Sequence, residues 1–268
     1  MDKIWGDSIK SRQNSPEQKE LQKKLNELAE LESQLAQKEL ELATNHAEFA
    51  AFERRYLQLV GVWYVELDEV KARIAEAKAR LDPADRSVCE EADAAAERAR
   101  ASACEVESVD HNESVEKFAP SDELMKLFSE MVRMIHPDLA TDDEERNRRY
   151  DFMLKLNLAY EQGDMLKMKK IRHQWSLKPE AVKNLSIGNE LVRVIRQIAQ
   201  LKERMEMIDD DFINLFRTDG YQLMRRVEIT TNEGRDLLDE MSSDIINEIE
   251  SLKAEGFDLF WELISQEQ

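Results

Sequence analysis

The chain has 268 residues, of which 42% are apolar, 35% charged and 7% aromatic, with only 7 Gly and 5 Pro. So few chain breakers argue against a β-sandwich or a βαβ enzyme, and the mix of Ala, Glu, Lys, Leu and Arg favours long helices and coiled coil. A net charge of −19 is repelled by nucleic-acid phosphates and anionic lipid headgroups, so no nucleic acid and no membrane is expected as a partner. Cys89 and Cys104 are too few for a disulfide scaffold or a four-ligand zinc site. No apolar run approaches the roughly 20 residues that span a bilayer, and Met1 to Lys10 holds no signal-peptide core. A cytoplasmic protein without a cofactor is expected.

Ser15-Pro16-Glu17 reads as a helix start, with Ser as N-cap, Pro at the first helical position and an acid in the first turn. From there Leu21, Leu28, Leu35, Leu42, Phe49, Tyr56, Trp63, Val70 and Ala77 recur every seven residues. A second seam is apolar at its ends (Leu25, Val60, Leu67, Ile74, Leu81) and polar in its middle (Glu32, Glu39, His46, Glu53). A sustained seven-residue repeat makes a stripe that another helix must cover, so residues 16–82 are read as coiled coil. The polar middle implies a kink, a wide stripe facing two partners, or a hairpin near Gly61. His46 is read as a polar residue fixing register, and Phe49, Phe52, Tyr56, Trp63 and Tyr64 as an aromatic helix–helix core.

Residues 83–117 are dominated by alanine and acids, with few larger apolar side chains. The first half can be helical, and the whole is read as an acidic linker, solvated near Cys104 to Glu116. Residues 118–178 read as a helical hairpin. Pro120-Ser121-Asp122-Glu123 opens a helix whose buried face is Leu124, Phe128, Met131, Val132 and Ile135. His136-Pro137-Asp138 ends it, because proline disfavours helix at the residue before it. A second helix starts near Thr141-Asp142-Asp143-Glu144, carries Met153, Leu156, Ala159 and Tyr160, and stops near Gly163. A short third helix runs from Met165 to Trp175. Residues 186–264 show three- and four-residue spacing again, in Leu191, Val194, Ile198, Leu201, Met205, Ile208, Phe212 and Leu215, and then in Leu223, Val227, Leu238, Met241, Ile245, Ile249 and Leu252. Thr218-Asp219-Gly220 is read as the turn of an antiparallel helix pair, with Gly234 as a bend.

His136-Pro137-Asp138 between two amphipathic helices resembles the J-domain, or DnaJ-like, co-chaperone family, over about Phe118 to Trp175. The core positions of both helices and the closing Ala159-Tyr160-Glu161 carry the resemblance, and the order of parts is similar to a bacterial branch in which a coiled coil precedes a J-like hairpin. The resemblance implies a protein that is not itself an enzyme. It would dock on a DnaK-type heat-shock ATPase through the His-Pro-Asp loop and stimulate ATP hydrolysis by favouring one conformer of its partner. Pro137 would fix the loop, Asp138 would accept from a partner arginine, and His136 would hold the loop or donate a hydrogen bond. Lys126 and Arg133 would supply the positive charge of the second helix, joined by Arg146, Arg148 and Arg149 on the next. The coiled-coil parts would bind an unknown client protein or form a homodimer through the heptads. The family's first helix is absent, and Glu130 and Met134 interrupt the basic face. The alternative is a structural or adaptor protein with a degenerate J-like hairpin. An acid–base enzyme built on His136 and Asp138 lacks any nearby nucleophile, phosphate loop or metal set.

Overall fold

The computed structural model describes residues 15–107, 117–140, 142–177 and 186–266, with side chains through 257. Among them the protein is all α-helical, with no strand. Helix α1 (Pro16–Tyr56), a π-helical turn (Leu57–Gly61) and α2 (Val62–Leu81) follow one another as a single 66-residue helix. Then come α3 (Arg86–Glu107), α4 (Asp122–Ile135), a 3-10 turn (Pro137–Leu139), α5 (Asp143–Glu161), α6 (Met165–Ser176), α7 (Ile187–Arg217), α8 (Asp219–Asn232) and α9 (Leu237–Gln266). None of the described helices is long and apolar enough to cross a membrane. The chain divides into two compact units, the first holding residues up to 46 and 120–214, the second 47–119 and 215 onward.

In the first unit, Leu28, Leu31, Leu35 and Leu42 of α1 bury against Val194, Ile198, Leu201 and Ile208 of α7. Glu27 pairs with Lys202 at 3.0 Å and Lys38 pairs with Asp209. Both sequence positions advance together, so the two helices run parallel. Exposed pairs of this kind are worth well under about 1 kcal/mol each and mark register more than they add stability. The stability lies in the apolar seam, at roughly 1.5–3 kcal/mol per fully buried large side chain.

The hairpin of α4 and α5 belongs to the same unit. Leu124, Leu127, Phe128, Met131, Val132 and Ile135 of α4 are all buried. They share the interior with Met153, Leu156, Ala159 and Tyr160 of α5 and with Met168 and Ile171 of α6. The Phe128 and Tyr160 rings lie 4.6 Å apart, and the Tyr160 hydroxyl is 2.8 Å from Thr44 Oγ1 of α1. The caps are local. Ser121 accepts from the Leu124 amide, Asp142 from Glu145 and Asp164 from Lys167. Gly163 turns the chain into α6 with φ 64°, where any side chain would be strained.

In the second unit α2 is flanked on two sides. Leu67, Val70 and Ile74, with Val60 of the π-helical turn, bury against Val227 of α8 and Leu238, Ile245 and Ile249 of α9. Lys71 pairs with Glu248 at 2.8 Å and Lys78 with Glu255 at 3.1 Å, one heptad on in both helices, so α2 and α9 are parallel. The buried hydroxyl of Ser242 lies 3.0 Å from the Leu59 carbonyl inside the π-helical turn, where the ordinary ladder is interrupted. Phe52, Tyr56 and Trp63 pack on this core, and Phe49 and Phe52 on Leu215, Tyr221 and Met224, whereas Tyr64 is exposed.

One of the open alternatives drops out and two expectations change. No hairpin forms near Gly61. The long helix absorbs the polar middle with a wide stripe, and the chain reverses only after Leu81. The acidic stretch 83–117 is not simply a linker, because Arg86–Glu107 is helix and lies against α2, with the Ser102 hydroxyl donating to the Asp68 carboxylate. Val88, Ala92, Ala95, Ala99, Ser102 and Val106 fall at three- and four-residue spacing on its less exposed side. Side chains this small bury little area apiece but let two helices approach closely. Gly61 shows it, since a Cβ there would stand 3.4 Å from Val106 Cγ2. Residues 108–116 of that stretch, and Thr141, lie outside the described residues. Finally, the buried faces of the two C-terminal stretches lie against the long helix, each within its own unit. The buried face of α7 is spent on α1, and those of α8 and α9 on the π-helical turn and α2. Gly234 does bend the chain between α8 and α9, with φ 81°.

The α2–α3 contact predicts that Ala95→Leu, at a position 3% exposed, destabilises the protein by roughly 1–3 kcal/mol through overpacking. Chemical denaturation checks this. A change within about 0.5 kcal/mol, the range of ordinary surface substitutions, would return α3 to the status of a solvated spacer.

Candidate docking site at the His-Pro-Asp loop

Helix α4 stops at Ile135 because His136 precedes proline and turns to an extended ψ of 131°. Pro137 then opens the 3-10 turn, which the Leu139 and Ala140 amides close on the carbonyls of His136 and Pro137, at 3.1 and 3.0 Å. The backbone amide of Asp138 donates to His136 Nδ1 at 3.2 Å. With Nδ1 an acceptor, the ring proton sits on Nε2, which faces Glu39 Oε1 at 3.2 Å. His136 is 3% exposed and Glu39 5%. Arg204 of α7 donates from Nε to the same Glu39 oxygen at 2.8 Å and approaches Asp211 at 3.5 Å. Burial pushes the Glu39 carboxyl upward, but the hydrogen bonds from His136 and Arg204 outweigh it and hold the group below the usual carboxylate value.

Two more side chains fix the loop. Arg149 of α5, itself buried, donates from Nη1 to the carbonyls of Met134 and His136, both at 3.0 Å, and from Nε to Glu145 at 2.9 Å. It thereby satisfies carbonyls that the end of α4 leaves without an intrahelical partner. Gln197 of α7 donates to the Leu139 carbonyl at 3.2 Å. Pro137 and Asp138 are left partly exposed, with 28% of the Asp138 side chain open to water and its carboxylate 3.7 Å from His136 Nδ1.

The eight residues expected to meet a partner thus separate. Lys126 is exposed on α4, and so is Arg133, whose guanidinium donates to Ser33 of α1 at 3.1 Å. Arg146 is about half-exposed, 3.5 Å from Asp143. Arg148 and Arg149 are a correction, since they support the hairpin instead of offering charge outward. Arg148 lies 4.3 Å over the Trp175 ring, and Arg149 shares the inward face of α5 with Met153 and Leu156, one and two turns on. His136 faces inward as well, and Pro137 and Asp138 are the more exposed part of the tripeptide. Sequence reasoning missed Glu39, Arg204 and Gln197 as parts of this site. Glu39 alone left a trace, as a carboxylate in an otherwise apolar seam. The partner it answers to is 97 positions away in sequence.

Replacing Glu39 by Gln is expected to cost roughly 2–4 kcal/mol, toward the low side of breaking a buried ion pair, since Arg204 keeps some access to water. The sign with pH follows from the direction of the shift. A carboxyl held below its ordinary 4.5 gives stability that is full above that pH and is lost as pH falls through the lower folded value. Denaturation of the two proteins from pH 7 to pH 3 should therefore show the gap closing at the acid end. A gap that does not change with pH would remove the ion pair from the account. Comparison with family models, with curated proteins and with solved structures finds no match to this chain.

Proposed function

We propose that the protein is a co-chaperone that docks on a DnaK-type heat-shock ATPase in the cytoplasm and stimulates ATP hydrolysis. The observation that supports this reading is the division of labour within the tripeptide. His136 and Arg149 anchor the loop from inside, and Pro137 and the Asp138 carboxylate stand partly exposed on a backbone that is already fixed. A pre-ordered acceptor loses little entropy when a partner arginine binds it. Lys126, Arg133 and Arg146 add exposed positive charge around the loop, which would mainly speed encounter with an acidic surface. In this reading the protein acts by differential binding, with no chemistry of its own. The rest of the chain serves to place a client.

One observation favours the second reading, a scaffold whose hairpin acts on no ATPase. His136 is bound to Glu39, and Gln197 grips Leu139, so the loop also serves as a corner of the first unit.

Single-turnover ATP hydrolysis by a DnaK-type ATPase separates the two. Wild type is expected to raise the rate. Asp138→Asn should lower that stimulation about tenfold or more, the equivalent of about 1.4 kcal/mol, without loss of helicity. Equal rates with wild type, with Asp138→Asn and with no added protein would leave only the scaffold.

A further inference from the structure

Beside the loop, between α5 and the first turns of α7, lies a hollow of about 480 Å³ lined by Arg146, Arg193, Arg196, Asn189, Gln197 and Gln200. In a chain with 57 acids and 38 bases, this wall inverts the general charge. Three guanidiniums arrive from two helices. Asp143 approaches Arg146 at 3.5 Å and Glu190 approaches Arg193 at 3.6 Å, both longer than the 2.7–2.9 Å of a tight charge-assisted bond. No carboxylate among the described residues pairs with Arg196. The Nε of Arg193 is shut away from solvent with no acceptor, while its Nη2 is the atom that Glu190 approaches. The side-chain amides of Asn189 and Gln200 add neutral donors.

From this we infer that the hollow binds a phosphoryl group. A carboxylate presents two coplanar oxygens and one charge, enough for a single guanidinium fork. A phosphoryl dianion presents three oxygens in a tetrahedral spread and about two charges, which suits forks reaching it from two sides. No aromatic side chain among the described residues lines the hollow, so a nucleobase would find no stacking platform there, and recognition is of the phosphoryl group itself. The group can come free, as inorganic phosphate, or on a phosphorylated side chain. Occupancy reaches the loop, because Ala140 forms part of the wall and Gln197 holds the Leu139 carbonyl. The inference concerns binding alone and does not rest on any action toward an ATPase.

The test is a titration of the 268-residue chain, followed by amide NMR at Ala140 and Gln197 and by the Arg193 Nε–H signal. The probes are inorganic phosphate and a short phosphoserine peptide with its unphosphorylated twin, all at constant ionic strength. Saturable shifts within about 5 mM phosphoryl probe are expected, in the range of weak specific binding. Arg196→Gln and Arg193→Gln should each weaken binding at least about tenfold, the loss of roughly one charge-assisted contact. Arg196 is exposed and carries the test should Arg193→Gln fold poorly. Tighter binding of inorganic phosphate assigns a free ligand, and tighter binding of the phosphopeptide assigns a modified protein. The inference is overturned by any of three results: no saturable shift with either probe, equal binding of sodium acetate, or Arg196→Gln binding like wild type.

Discussion

A carboxylate in the middle of a coiled-coil seam costs several kcal/mol to desolvate unless it finds partners there. Glu39 finds two, the imidazole of His136 and the guanidinium of Arg204, which approach its Oε1 at 3.2 and 2.8 Å. Three separate stretches of chain, α1, the His-Pro-Asp loop and α7, thereby meet at one oxygen. The pairing fixes which face of α1 carries the hairpin and which register α7 takes. It also commits the histidine ring to the inside, so that Nδ1 accepts from the Asp138 amide, while the Asp138 carboxylate lies 3.7 Å from the same nitrogen and keeps 28% of its side chain open to water. The polar interruption of the seam is a specificity device, in the way that a lone polar residue at a seam position fixes register in simpler coiled coils.

The same economy runs through each unit. A stretch of the long helix supplies an apolar stripe, and a later helix covers it in parallel, with ion pairs along the rim: Glu27 with Lys202 in the first unit, Lys71 with Glu248 and Lys78 with Glu255 in the second. The pairs are exposed and contribute little individually. Leucine, isoleucine and valine between them carry the energy. Where α3 meets α2 the solution differs, since alanine and serine trade buried area for close approach.

The hairpin shows why residue type alone is a poor guide to role. Arg146, Arg148 and Arg149 lie within one turn of α5, yet they face a rim, a tryptophan ring and the interior. Each step along a helix rotates the side chain by about 100°, so neighbours in sequence point in different directions. Arg149 does what a C-terminal cap would do for α4, from a different helix.

Much was legible from residues alone. The capping sequences at Ser15, Ser121 and Asp142, the seven-residue repeats, the proline that ends α4 and the glycines at 163 and 234 are local signals, and local backbone preferences decide them. The buried faces of α4 and α5 were legible for the same reason, since periodicity states which side of a helix is apolar. Which helix covers which stripe was not. Residues 186–264 were equally able to close on themselves or to cover the long helix, and an alanine stripe among acids carries too little hydrophobicity to announce a contact. Nor could sequence tell that Glu39, His136 and Arg204 converge, because nothing local to any of the three names the other two. Periodicity determines what each helix must hide. Only the assembled chain, where long-range burial and charge pairing compete for the same surfaces, decides what hides it.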